Sequence, residues 1–308
     1  MRHIPVLLNE VLEGLNLKPG IKAVDCTLGD AGHAEAILNQ IGTTGKLLGI
    51  DADPESLLRA KRNLYNFADQ SIFVRDNFVH LKQILEKNNF TPVQAILLDL
   101  GWSTPQFKER GRGFSFEGDE PLDMRYGDEI RNTKSEIRNT TAANILNEYT
   151  AAELNKIFHQ YGEEKFSQEI ASAIVEARRI KPLERTGELV EIILQVYRNK
   201  LHSTKEIPWI GGIHPATKIF QALRIEVNQE LEVLKQVLPQ ALEALSVGGR
   251  LAVITFHSLE DRIVKQYFQT VQNKIIKLIN KKPIIASEEE LKNNPSSRSA
   301  KLRVVERI

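Results

Sequence analysis

Asp25-Cys26-Thr27-Leu28-Gly29-Asp30-Ala31-Gly32-His33, set between an apolar run and a helical one, is the stretch on which the reading of this chain turns. Ile21 to Val24 predicts a short buried strand, and Ala34 to Leu38 opens a helix. The small residues Gly29, Ala31 and Gly32 let a backbone turn pass close to a ligand. A second apolar run, Lys46 to Ile50, ends at Asp51, about twenty residues beyond the glycines, where a carboxylate can bond both hydroxyls of a ribose. Two readings fit the turn by itself: a nucleotide grip, or the plain tight turn of any wound α/β protein.

Working outward, Asp53-Pro54 starts the next helix with a capping aspartate and a proline in its first turn, which leaves Asp51 as the better ribose ligand. Ile72 to Val74 and Ala95 to Leu98 supply third and fourth strands. The alternation predicts a parallel sheet with right-handed crossovers, whose ligands bind at the carboxyl ends of the strands. Asp76, Phe78 and Asp99 fall at that edge by construction.

The alternation stops after Asp99. A turn-rich segment from Gly111 to Gly118, a polar stretch from Tyr126 to Thr140, and helical spacing over Ala151 to Gln160 and Phe166 to Arg179 predict an inserted helical subdomain at 105–210. It interrupts a domain formed by 1–104 and 211–308, with Asn199 to Gly212 as the returning loop. One long amphipathic helix is then expected from Phe220 to Leu245, its apolar face on the sheet, kinked or divided at Pro239. Gly248-Gly249 ends it. Arg250 to Phe256 reads as a fifth strand, Asp261 to Phe268 as a helix, and Ile275 to Ile279 with Leu302 to Val305 as an antiparallel pair. The polar segment Ser287 to Arg298 reads as a surface loop.

Composition narrows the class. A chain of 308 residues, 42% hydrophobic and 26% charged, buries a full core in one large domain or two. Its 41 basic and 40 acidic residues leave a formal charge of +1, so any attraction to nucleic acid is local rather than global. The single cysteine, Cys26, excludes an internal disulfide framework and a cysteine-rich zinc site. His214 and His257 stand apart with no carboxylate or cysteine cluster around them in sequence, and no metal is expected. Met1 to Val6 has no signal-peptide core and no transit character, and no apolar run reaches membrane-spanning length, so a cytoplasmic protein without membrane contact is expected.

Five parallel strands with a terminal antiparallel hairpin resemble the class I S-adenosylmethionine-dependent methyltransferases, a Rossmann-like α/β fold. A hydride-transfer enzyme would carry Gly-x-Gly-x-x-Gly after the first strand, a spacing that Gly29-Asp30-Ala31-Gly32-His33 lacks. Longer blocks resemble one family, the RsmH (MraW) methyltransferases. These are His3 to Leu8, the loop at 27–33, Leu97 to Gln106, Arg112 to Phe116, Pro121 to Arg125, His214 to Ile225, Phe256 to Arg262 and Ser297 to Arg303, in order along nearly the whole chain.

The resemblance implies an enzyme that uses S-adenosyl-L-methionine to methylate the exocyclic N4 of a cytidine in the decoding region of 16S rRNA, within the small ribosomal subunit; it leaves room for a homodimer. It places the cofactor on Ala31, Gly32, His33, Asp51, Phe78, Asp99 and Gln106. Asp99 and Ser103 are the candidates for handling the amino protons, since a cytosine amino group needs an acceptor beside it to become a nucleophile. Methylation at cytosine C5 would require a cysteine at the substrate, whereas Cys26 sits at the cofactor loop. Arg112, Phe114, Arg125, His214, Arg224 and His257 are the expected RNA contacts, arginines for phosphate and aromatics for an extruded base. The family usually has glycine where Ala31 stands and valine or a similar residue where Trp102 stands. If the Ala31 position takes positive φ, alanine costs about 1 kcal/mol there. That departure keeps a second hypothesis in view, a ribosome-binding assembly factor that retains the fold without catalysis.

Overall fold

The computed structural model describes residues 4–101, 111–126, 140–202 and 214–308. The chain divides into two compact units, Met1–Ser103 with Leu231–Ile308, and Thr104–Glu230.

The first unit is built on a sheet in the order β3-β2-β1-β4-β5-β7-β6. Strands β1 (Lys22–Asp25), β2 (Lys46–Asp51), β3 (Ser71–Arg75), β4 (Val93–Asp99) and β5 (Leu245–Thr255) run parallel, while β7 (Lys301–Arg307) is antiparallel to β5 and to β6 (Ile276–Leu278). This is the mostly parallel sheet with a terminal antiparallel pair expected from the alternation.

Both faces of the sheet are covered, so the strands read as continuous apolar runs and not as alternating ones. On one face Ala23, Leu47, Ala95, Leu97, Ala252 and Ile254 pack with Val11 and Leu15 of α1 (Leu8–Leu15), Ile37 and Ile41 of α2 (Gly32–Ile41), and Leu57 of α3 (Pro54–Asn63). Val24, Leu48, Ile96, Leu98, Leu251 and Val253 turn to the other face. They meet Leu81 and Ile84 of α4 (Leu81–Lys87) and, farther along the chain, Leu238 and Leu242. Burying each such side chain contributes about 1.5–3 kcal/mol relative to exposure. The register follows from this pattern, because a one-residue slip would exchange the two faces.

In the second unit the described helices are α5 (Ala142–Glu148), α6 (Ala151–Gln160), α7 (Ser167–Arg178), α8 (Thr186–Leu201) and α9 (Thr217–Asn228). Thr141 and Thr150 close capping boxes with Asn144 and Glu153, which start α5 and α6. Helix α8 runs through 199–201, positions read from sequence as the start of the returning loop; the rest of that loop lies outside the described residues.

Two sequence expectations are corrected. The helix expected from Phe220 to Leu245 is two helices, α9 and α10 (Glu230–Ala244), separated at Gln229, whose φ is +51°. The break falls ten residues before Pro239, which sits inside α10. Buried Asn228 accounts for the stop: its side chain donates to Met124 O at 2.8 Å and Arg224 O at 2.9 Å and accepts the Tyr126 N–H at 3.0 Å. Helix α9 therefore packs with α5 and α6, and only α10 covers the sheet. The contacts accordingly carry the second unit on to Glu230, past the return at 211 expected from sequence.

Ser287 to Arg298 is the second correction. It forms α12 (Glu288–Asn293) and a 3-10 turn over Pro295–Ser299, with Asn294 and Ser297 buried. Between β5 and β6 runs α11 (Ser258–Val271). No helix among the described residues is long and apolar enough to cross a membrane.

Candidate active site

The site is the carboxyl edge of β1, β2 and β4. Beyond β1 the chain is held by both neighbouring strands: Cys26 N–H donates to Leu97 O at 3.0 Å and Leu28 N–H to Ile50 O at 3.0 Å. The turn at Gly29 takes φ +51° and Ala31 φ +62°, so alanine does occupy a left-handed position. Ala31 is the N-cap of α2, and its own side chain makes no capping hydrogen bond. Its first turn thus presents the positive end of the helix dipole to the edge.

Asp51 is set by two backbone donors, Gly29 N–H at 2.8 Å and Asp53 N–H at 2.8 Å. Asp53 takes the separate capping job read from the sequence, accepting Ser56 N–H at 2.6 Å at the head of α3. Phe78, after β3, is half-buried and packs against the core below while lying at the same edge. Asp76 beside it is paired with His80 at 2.8 Å.

Asp99 ends β4. Its N–H donates to Thr27 Oγ1 at 2.9 Å and its Oδ1 accepts Gly101 N–H at 3.1 Å. A side chain at Gly101 would collide with the Phe256 ring, with a Cβ only 2.4 Å from it. Burial pushes the Asp99 carboxyl up to about 7, against the Gly101 hydrogen bond and helped by the nearby Glu260. His33 Nδ1 stands 3.6 Å from Asp99 Oδ2. Burial lowers the His33 pKa, against the charge of the nearby Asp25; its Nε2 lies 2.9 Å from Val6 O and must donate there, which turns Nδ1 toward Asp99.

Asp25 belongs to this cluster and was missed by the sequence reading. It is 1% exposed, its Oδ1 accepts Thr27 N–H at 3.0 Å, and burial raises its carboxyl to about 6. Its only sequence signal is an acid at the carboxyl end of an apolar strand. Ser103 and Gln106 lie outside the described residues.

The expected RNA contacts divide. His214 stacks on Phe116 with centroids 4.6 Å apart, and its Nδ1 accepts Ala216 N–H at 3.1 Å. Arg112 is half-buried and reaches Arg125 O at 3.4 Å. Arg125 forks onto Asp123 at 2.6 and 2.8 Å. Phe114 is buried and stacks on Tyr126, and Arg224, also buried, forks onto Glu230 at 2.7 and 3.0 Å. Those two side chains serve the interior of the second unit, where burial keeps an arginine only if it is paired. His257 precedes α11 and lies 3.2 Å from Glu260, whose carboxylate also accepts Phe256 N–H at 2.8 Å.

The donor set suits a nucleoside carrying a charged chain. A preset carboxylate, a helix head and a left-handed turn share one edge, and a Cβ on Gly29 would meet nothing closer than Thr27 O at 3.9 Å. The profile of the MraW methylase family matches residues 1–308. A ribosomal RNA small subunit methyltransferase H of Dehalococcoides mccartyi is 45% identical, over 99% of this chain and 86% of the relative. The protein of that name from Brevibacillus brevis is 42% identical, over 99% of this chain and 98% of the relative. A solved rRNA methylase from Streptococcus thermophilus aligns over 98% of this chain and 92% of its own at 10% identity, with a TM-score of 0.43. By profile and by near-full-length identity, the chain belongs to the MraW methylase family.

Proposed function

We propose that this methyltransferase uses S-adenosylmethionine to methylate N4 of a cytidine in the decoding region of 16S rRNA, within the small ribosomal subunit. The observation that carries the reading is the shared sheet edge, where Asp99 at the end of β4 stands with the preset carboxylate of Asp51 and the left-handed 29–33 turn. Ala31, Gly32 and His33 at the head of α2, with Asp51, Phe78 and Asp99, are the residues that would hold the cofactor, joined by Gln106. When bound, S-adenosylmethionine supplies a methyl group on a positively charged sulfur.

A cytosine N4 lone pair is delocalised into the ring. Asp99, as carboxylate, accepts one amino hydrogen and so favours the pyramidal nitrogen that can attack in line. With the methyl group supplied by the bound cofactor, the proton that leaves N4 would pass to Asp99 and then to water. An acceptor titrating near the working pH suits that transfer, and alignment contributes most of the remaining rate. Ser103 is the second proposed proton-handling group. In the second unit Arg112, Arg125 and the Phe116–His214 stack are the groups proposed to meet RNA.

Titration with S-adenosylmethionine tests the reading against the assembly-factor alternative. Saturable binding that Asp51→Ala weakens at least tenfold is expected; a folded protein with no measurable binding would leave only the non-catalytic reading.

A further inference from the structure

The polar segment at 287–299 grips the N-terminal segment that underlies the candidate cofactor turn. Glu290, in α12, accepts the Leu7 N–H at 2.7 Å, and the buried Asn294 donates its side-chain N–H to Ile4 O at 3.1 Å. Asn294 is itself fixed by Ser297, whose hydroxyl donates to Asn294 O at 2.7 Å and whose N–H donates there at 3.0 Å. Two side chains thus hold both ends of residues 4–7. Leu7 takes φ +52°, a conformation leucine avoids unless its surroundings impose it.

What lies between the two grips touches the turn directly. The Pro5 ring occupies the space beside Gly32, where a Cβ would stand 3.2 Å from it, and Val6 O receives the His33 Nε2–H at 2.9 Å. That second bond selects which nitrogen of His33 carries the proton and so what the ring shows to Asp99, 3.6 Å away. We propose that Glu290 and Asn294 are positioning residues for the S-adenosylmethionine turn, setting Gly32 and His33 through residues 4–7. The inference rests on reading that turn as the cofactor grip. Neither side chain is at the sheet edge; both hold backbone that touches the turn, and the Glu290 charge also favours the protonated form of His33.

The test compares wild type, Glu290→Ala, Glu290→Gln and Asn294→Ala by calorimetric titration with S-adenosylmethionine, by the ¹⁵N ring signals of His33, and by steady-state kinetics on small ribosomal subunits. Loss of a hydrogen bond to a charged group is expected to raise the cofactor Kd about tenfold in Glu290→Ala. Asn294→Ala is expected to act in the same direction. In both, the His33 ring should shift from one tautomer to a mixture, with KM for the subunits retained. Glu290→Gln keeps an oxygen for Leu7 N–H and should restore most of the affinity. Should Glu290→Ala fail to fold, Asn294→Ala tests the other end of the same grip. Wild type that binds while the folded variants bind equally well, with an unchanged His33 signal, overturns the positioning role alone. Wild type that does not bind overturns the reading of the turn and this inference with it.

Discussion

Asp99 has the environment of a proton acceptor working near neutrality, because burial disfavours its charge while the backbone N–H of Gly101 keeps the anion accessible. A base must be ionised to act. kcat/KM is therefore expected to rise with pH through an inflection near 7 and to level off above it, and Asp99→Asn is expected to remove the inflection and lower kcat by about 10²–10⁴-fold. A pH profile of the variant that keeps the inflection would assign the base elsewhere. At Ala31 the left-handed backbone is strained for any residue with a Cβ. Ala31→Gly is expected to stabilise the protein by about 0.5–1 kcal/mol, read as a higher Tm, without closing the turn. Asp51 and Asp53 were separable in sequence because a cap before proline has a local signature. Asp25 was not, since its burial arises only when β2 and β4 flank β1.

At the scale of elements, the division of α9 from α10 shows where periodicity misleads. Apolar spacing continued unbroken from Phe220 to Leu245, and Pro239 looked like the break. The stop instead comes from Asn228 and from the Arg224–Glu230 fork, contacts to residues distant in sequence or across the turn. Both partners of that fork are about nine-tenths buried. Arg224→Ala is expected to cost about 3–5 kcal/mol, because it strands a buried carboxylate. Chemical denaturation measures it, and a loss under 1 kcal/mol would return Arg224 to the surface roles open to an RNA contact. The 287–299 segment misled in the opposite sense. Its polarity resembled a solvated loop, yet both Asn294 and Ser297 are buried, Asn294 because it donates to Ile4 O and Ser297 because it donates to Asn294 O.

For the whole molecule, the parallel strands and the edge they share were legible because βαβ alternation leaves few topologies. The placement of β7 between β5 and β6 completes the sheet as the terminal pair suggested. The reach of the second unit to Glu230 was not legible, since it depends on which helices α9 packs against. The proposed cofactor residues of the described part lie in the first unit, and Arg112, Arg125, Phe116 and His214, proposed to meet RNA, lie in the second. With 41 basic against 40 acidic residues the chain offers no general attraction to RNA, so selectivity for one nucleotide has to come from local contacts. The most direct test is transfer of a labelled methyl group from S-adenosylmethionine to small ribosomal subunits and to naked 16S rRNA, followed by nucleoside analysis. N4-methylcytidine from the decoding region is the predicted product; label at cytosine C5, on another base, or on none at all would contradict the account.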